Sequence, residues 1–138
     1  MAKKKILIID DDQDLRAALN IRLRANGYET SFAADAMVAI AEARKFKPDL
    51  ILLDLGLPGG DGFVVMQRLS AIPALAVIPV IVLSARDKDS NENRAAMAGA
   101  VAYLQKPYDD QTLLVEIKSA LGEEEVPPSE SRGRRATD

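Results

Sequence analysis

Residues Leu50 to Gly62 read Leu-Ile-Leu-Leu-Asp-Leu-Gly-Leu-Pro-Gly-Gly-Asp-Gly. Four consecutive apolar residues lead into Asp54, and a loop rich in glycine and proline follows. A short apolar run that ends in turn residues is typical of a buried strand in a parallel sheet. The strand therefore presents the carboxylate of Asp54 at its end, where it can bind a metal, act as a nucleophile or cap a helix.

Four further segments of the chain have the pattern of a strand, and helical patterns alternate with them. We predict strands at Ile6–Ile9, Glu29–Ala33, Asp49–Asp54, Pro79–Ser84 and Val101–Leu104. The helical patterns lie between Asp12 and Gly27, from Asp35 to Pro48, from Gly62 to Ser70, near Asn91–Ala98, and from Asp109 or Asp110 to Leu121. Five alternating strands and helices indicate an α/β protein with a parallel sheet and helices on both faces.

The last part of the chain has no such pattern. Residues 122–138 contain three consecutive glutamates, two adjacent prolines and few apolar side chains. Segments of this composition cannot bury enough apolar surface to fold. We predict one domain over residues 1–121, followed by a disordered tail or linker over residues 122–138.

The composition excludes several classes of site. The chain has 138 residues, no cysteine and no histidine, so disulfides, thiolate nucleophiles and cysteine or histidine metal ligands are impossible. Carboxylates are then the expected ligands, and they favour a hard cation such as Mg²⁺. The net charge of −3 argues against direct nucleic-acid binding. With no apolar stretch of about 18 residues, we expect no membrane partner and a cytoplasmic location.

Polar residues follow four of the predicted strands. Asp10 and Asp11 follow the first, Asp54 the third, Ser84 the fourth and Lys106 the fifth. Because the carboxyl ends of parallel strands meet at one edge of a sheet, we expect these side chains to converge. Clustered carboxylates repel one another unless a cation neutralises them. A divalent metal together with a phosphoryl group, whose oxygens a lysine and a hydroxyl can contact, would fit this edge.

Over residues 4–121 the chain resembles the receiver domain of bacterial two-component response regulators. The matching segments are Ile8-Ile9-Asp10-Asp11, Leu53-Asp54, Leu57-Pro58-Gly59 with Asp61-Gly62, Ser84-Ala85, Gly99-Ala100, Tyr103 and Lys106-Pro107. The resemblance implies a flavodoxin-like, doubly wound sheet with strand order 2-1-3-4-5. It also implies a protein that is no enzyme in the usual sense, but promotes its own phosphorylation and slow dephosphorylation.

The resemblance assigns a role to several residues of this chain. It implies that Asp54 is the phosphoacceptor, and that Asp10, Asp11, Asp54 and the backbone carbonyl of Gly56 bind Mg²⁺. The donor would be a sensor histidine kinase or a histidine phosphotransfer protein.

The resemblance also implies a way of passing the signal on. Lys106 and Ser84 would contact the phosphoryl group, while Ser84 and Tyr103 would form the switch pair that reorients after phosphorylation. The output would then be a changed surface for a downstream protein effector. The identity of the kinase and of the effector, and the oligomeric state, stay open.

Three other functions are compatible with parts of the sequence. The chain could be the amino-terminal receiver of a longer DNA-binding regulator, or a receiver-like docking module that is never phosphorylated. A Mg²⁺-dependent phosphatase of the haloacid-dehalogenase type also uses an aspartyl nucleophile. Such an enzyme needs a second aspartate two residues later as general acid and base, and Gly56 stands at that position after Asp54.

Overall fold

The computed structural model describes residues 2–59 and 61–123, which form one five-stranded parallel sheet flanked by helices. Its strands are β1 to β5, at Lys5–Ile9, Glu29–Ala33, Leu50–Leu53, Val80–Ser84 and Ala100–Gln105. Its helices are α1 to α6, at Gln13–Ala25, Ala36–Phe46, Gly62–Ser70, Pro73–Ala76, Lys88–Met97 and Asp110–Leu121. The predicted strand order is confirmed, since the strands lie in the order β2-β1-β3-β4-β5.

The three central strands form the interior of the molecule. Every residue of β3 and β4 is buried, as are four of the five residues of β1. Such continuous apolar strands require cover on both faces of the sheet. The register pairs Ile9 with Leu53 and Leu53 with Val82, so the carboxyl ends of these strands lie side by side.

The helices provide that cover in two layers, which confirms the predicted placement on both faces. One core combines Leu19 and Leu23 of α1 with Leu113 and Ile117 of α6 and with side chains from one face of the sheet. The other core lies on the opposite face and contains buried residues of α2, α3, α4 and α5. Because side chains alternate along a strand, β1, β3, β4 and β5 each contribute to both cores, whereas β2 contributes only Ala33, to the second core.

Aspartates lie at the N-terminal caps of most of the helices. The carboxylates of Asp12, Asp35 and Asp61 accept hydrogen bonds from backbone N–H groups in the first turns of α1, α2 and α3. For α6 the sequence left two candidates, and the structure places Asp109 at the cap. These caps stabilise helix ends at the edge of the sheet where the strands finish.

Two helical predictions need correction. The helix predicted near Asn91–Ala98 begins at Lys88, and Asp87 caps it by accepting from the backbone N–H of Ser90. Its first turns are polar and only Ala95 is buried in this helix, so apolar periodicity could not reveal its start. The second correction is an additional helix, since the single turn of α4 is absent from the sequence prediction and begins at Pro73, a residue that suits the first helical position.

The chain after α6 is described only to Glu123. Gly122 ends α6 with a φ of 72°, a left-handed conformation that suits glycine. Residues 124–138, and with them nearly all of the predicted tail, lie outside the described residues. Within the described part of the chain, no helix has the length and apolar character needed to cross a membrane.

Candidate functional site

Three carboxylates meet at the carboxyl edge of the sheet. One oxygen from each of Asp10, Asp11 and Asp54 lies within 4.8 Å of the other two. Asp10 is buried, Asp54 is half-buried and Asp11 is exposed, so the cluster opens to solvent on one side. The adjacency of β1 and β3 creates this arrangement, and the backbone N–H of Asp54 donates to the carbonyl of Ile9 at 2.9 Å. Oxygen donors at this spacing suit a hard divalent cation.

Lys106 is the cation that the structure places at this cluster. Its Nζ lies 2.9 Å from Oδ2 of Asp10 and 3.7 Å from Oδ2 of Asp54. The lysine follows β5, and its backbone N–H donates to the carbonyl of Ser84 at 2.8 Å. Residues from the ends of β1, β3, β4 and β5 are thus brought together, as the sequence predicted.

Asp10 is the most buried of the three carboxylates. Burial raises the pKa of its carboxyl group. Hydrogen bonds from the backbone N–H of Asp12 and from Lys106 oppose that shift, while the charge of Asp54 adds to it. The cost of burying the charged carboxylate is therefore only partly offset by these protein groups, and a cation bound beside Asp10 would favour the charged form further.

Ser84 and Tyr103 lie beside the cluster and both contact one residue, Arg86. The backbone N–H of Arg86 donates to Oγ of Ser84 at 3.1 Å, and the hydroxyl of Tyr103 donates to the backbone carbonyl of Arg86 at 2.9 Å. Both side chains that carry these hydroxyls are buried, and burial raises the pKa of Tyr103.

The loop after β3 wraps closely around Asp54. The backbone N–H of Gly56 donates to Oδ1 of Asp54 at 3.2 Å, so Gly56 lies next to the cluster. At Gly62, an added Cβ would lie 2.6 Å from the carbonyl oxygen of Asp54 and from Cα of Leu55. Only glycine permits that approach, which brings the first turn of α3 against the strand end.

Comparison with known proteins assigns this fold and site to a family. The profile of the response regulator receiver domain matches residues 6–118 of the chain. The chain belongs to the response regulator receiver domain family. Its function is therefore that of a receiver domain in two-component signalling, which confirms the family predicted from the sequence.

Individual relatives place this receiver domain among longer and shorter proteins. It is 39% identical over 117 residues to the DNA-binding dual master transcriptional regulator RpaA of a Synechocystis strain, covering 85% of this chain and 48% of that protein. The chain thus spans about half the length of that relative. Vibrio cholerae chemotaxis protein CheY4 is 28% identical in a solved structure, with a TM-score of 0.81 and coverages of 87% and 100%.

A third similar structure contains a metal. The receiver domain of the sensor histidine kinase PA1611 from Pseudomonas aeruginosa has a magnesium ion coordinated in its active site cleft. It is 27% identical to this chain, with a TM-score of 0.79 and coverages of 88% and 99%. Receiver domains with this fold thus include one whose active site cleft holds Mg²⁺.

The receiver domain has three residues near its site that the sequence analysis did not single out. Arg16 donates from its guanidinium to the backbone carbonyl of Asp10 at 2.9 Å and lies over the ring of Phe32. Arg86 links the loops after β3 and β4, and Tyr108 is partly buried after Lys106 and Pro107. Their residue types carry no signal of a site, since arginines and tyrosines near strand ends are usually solvated or part of a core.

Proposed function

We propose that Asp54 accepts a phosphoryl group and that phosphorylation changes the surface around Ser84, Tyr103, α5 and α6. The observation that carries this proposal is the cluster of three carboxylates with a lysine Nζ only 3.7 Å from Asp54. Asp54 is half-buried and Asp11 beside it is exposed, so a donor can approach the cluster. A carboxylate in this setting can act as a nucleophile toward phosphorus.

In the proposed step, an oxygen of Asp54 attacks the phosphorus of a phosphohistidine on a sensor kinase or phosphotransfer protein. The new P–O bond forms as the P–N bond breaks, and the electron pair of that bond leaves with the imidazole nitrogen. The ammonium of Lys106 is placed to neutralise a phosphoryl oxygen. These 138 residues contain no histidine, so they cannot supply the phosphohistidine themselves.

Mg²⁺ is the cofactor that this site fits best. Asp10, Asp11 and Asp54 would hold the ion, together with the backbone carbonyl of Gly56, and three carboxylate oxygens within 4.8 Å support that ligand set. A bound Mg²⁺ ion neutralises charge on the transferred phosphoryl group. The phosphoaspartate should be hydrolysed slowly, because Gly56 offers no general acid or base beside it.

We also propose how the phosphorylated state is read. The added phosphoryl group brings about −1.5 to −2 charges and three acceptor oxygens, judging from phosphorylated hydroxyl side chains. Hydrogen bonding to Ser84 would then favour an active conformation in which Tyr103 and the neighbouring loop present a changed surface to a protein effector. This surface need not contact nucleic acid directly.

A second arrangement is favoured by one specific comparison. The DNA-binding relative from Synechocystis is about twice as long as the part of it that this chain covers. The same receiver chemistry would then regulate a further domain in the same polypeptide. The phosphorylation step at Asp54 is common to both arrangements, so it is the step to test first.

The test is intact mass after incubation with acetyl phosphate, with and without Mg²⁺. We expect one phosphoryl group on the wild-type chain, dependent on Mg²⁺ and labile to hydroxylamine, and none on Asp54→Asn. Asp35→Asn is the matched control, because Asp35 also follows a strand but caps α2, a role that asparagine retains. It should be labelled like the wild type.

Two results would contradict the assignment. Labelling of Asp54→Asn to the wild-type extent would show that another residue accepts the phosphoryl group. If the wild type were labelled neither by acetyl phosphate nor by a phosphohistidine donor protein, the chain would be a docking module. Lys106→Ala should keep the fold but lose phosphorylation-dependent partner binding, and normal binding would contradict the role of Lys106.

A further inference from the structure

Arg86 is the meeting point of the two hydroxyls beside the acidic cluster. Its backbone N–H donates to Oγ of Ser84, and its backbone carbonyl accepts from the hydroxyl of Tyr103. The position of this one peptide segment therefore sets the position of both hydroxyls. A displacement of about 1 Å in such a segment is enough to move reacting groups out of a productive geometry.

The side chain of Arg86 fixes that segment to the opposite loop. Its guanidinium lies 3.1 Å from the carboxylate of Asp61 and donates to the carbonyl of Leu55 at 3.3 Å. Leu55 follows Asp54, and Asp61 caps α3 by accepting from the backbone N–H of Phe63. Arg86 thus joins the loop after β4 to the loop that carries the acidic Asp54.

We propose that Arg86 is a positioning residue, and that its ion pair with Asp61 holds the Ser84 and Tyr103 hydroxyls ready for a phosphoryl group on Asp54. We call this ion pair the Arg86–Asp61 clasp. The inference rests on the proposed function, since it assumes that Asp54 carries the phosphoryl group. In this role Arg86 and Asp61 act by positioning Ser84 and Tyr103, and they do not contact the phosphoryl group themselves.

The hydrogen-bond pattern explains how the clasp can help. A hydroxyl has one proton to donate and two lone pairs to accept with. Because Oγ of Ser84 accepts from Arg86, its own proton is free to donate elsewhere, and the hydroxyl of Tyr103 is one partner within its reach. The proton can rotate from Tyr103 to a phosphoryl oxygen while the bond to Arg86 stays intact.

The effect of the clasp should be modest. The side chains of Arg86 and Asp61 are each 38% exposed, and solvent screens ion pairs of this exposure. Exposed pairs of this kind are worth about 0.2–1 kcal/mol, which corresponds to a change of about 1.5- to 5-fold in a binding constant. We therefore expect weaker binding of a phosphoryl group when the clasp is removed, but not its loss.

The experiment compares Asp61→Asn, Arg86→Gln and the double variant with the wild type. Asparagine retains the cap of α3 and removes only the charge of the clasp. Arg22→Gln is the matched control, because it removes another exposed ion pair, with Asp110, between helices on the other face of the sheet. The probe is beryllium fluoride with Mg²⁺, titrated by nuclear magnetic resonance. Hydrogen exchange of the Arg86 amide is measured without the probe.

We expect each single clasp variant to bind the probe about 1.5- to 5-fold more weakly than the wild type. The double variant should bind the probe no more weakly than the weaker-binding single variant, because both substitutions remove the same ion pair. The control should bind the probe like the wild type. Arg86 amide exchange should be faster in both clasp variants. The proposal would be wrong if the clasp variants kept the wild-type affinity for the probe and the wild-type exchange rate of the Arg86 amide. It would also be wrong if the effects of the two single variants on probe affinity added up in the double variant, or if any clasp variant bound the probe more tightly. Failure of the wild type to bind the probe would contradict the proposed function instead, and the exchange data would still test the clasp.

Discussion

Tyr108 shows how strongly the surroundings of the site act on a single ionisable group. Burial raises the pKa of its phenol to about 12, and the nearby carboxylates of Asp110 and Asp10 add to the shift. Since the unfolded chain has the ordinary pKa of about 10, folding favours the neutral phenol. That contribution to stability is complete below pH ~10 and is lost as the pH rises toward 12.

We therefore predict that Tyr108→Phe makes the protein less sensitive to high pH. The variant keeps the ring in the core and removes the group that titrates. The free energy of unfolding in urea, measured at about pH 9 and about pH 11, should fall less for Tyr108→Phe than for the wild type. An equal fall in both proteins would mean that the phenol titrates alike in the folded and unfolded chains.

Residues of the site differ in how far sequence could identify them. Asp10, Asp54 and Lys106 follow predicted strands directly, so a correct reading of the strands brings them to one edge, where the structure has them. Arg86 could not be found in this way, because its importance depends on contacts with Asp61 and Leu55, 25 and 31 residues away in sequence. Local patterns contain no information about such contacts.

The junction between β3 and α3 is the element that places the acidic loop. Gly62 begins α3, and its backbone N–H donates to the carbonyl of Leu55 at 2.8 Å. A Cβ at Gly62 would meet backbone atoms of Asp54 and Leu55 at 2.6 Å, and backbone cannot move aside as a flexible side chain can. The helix would have to shift away from the strand end.

We predict that Gly62→Ala destabilises the protein by about 1–3 kcal/mol, the usual cost of overpacking. Urea unfolding would measure this. Gly56→Ala is the control for stability, because a Cβ at Gly56 meets nothing within 4 Å. If the two variants were equally stable, the close approach at Gly62 would not constrain the junction.

Elements with a buried face were easier to predict than polar ones. The range of α3, which has five buried residues, agrees with the sequence prediction at both ends. By contrast, α5 begins three residues before its predicted start, because the polar segment after Asp87 has no apolar periodicity. A cap residue identifies a helix start only when a recognisable helical pattern follows it.

At the scale of the whole molecule, the alternation of strands and helices was sufficient to predict a parallel sheet with two covered faces. The order 2-1-3-4-5 came from the family resemblance, because alternation alone is compatible with several orders. The structure confirms that order, and the right-handed crossovers that parallel strands require limit the alternatives.

The extent of the domain is a prediction about the whole molecule that the described contacts refine. The core that contains α1 and α6 ends with residues of α6, and Gly122 and Glu123 add to the end of that helix. The backbone N–H of Glu123 donates to the carbonyl of Lys118 at 2.7 Å, and its carboxylate accepts from the hydroxyl of Tyr28 at 3.0 Å. We therefore expect the folding unit to extend to residue 123 and not to stop at residue 121.

Truncation tests this boundary. A chain that ends at Glu123 should unfold in urea with the same free energy as the full chain of 138 residues. A chain that ends at Leu121 should lose about 1–2 kcal/mol, because it lacks the glycine cap and the hydrogen bonds of Glu123. In the full chain, Glu123→Ala should be less stable than Glu123→Gln, which keeps an acceptor for Tyr28. A large loss on removing residues 124–138 would instead place part of the folding unit beyond Glu123, because contacts of that segment would then contribute to stability.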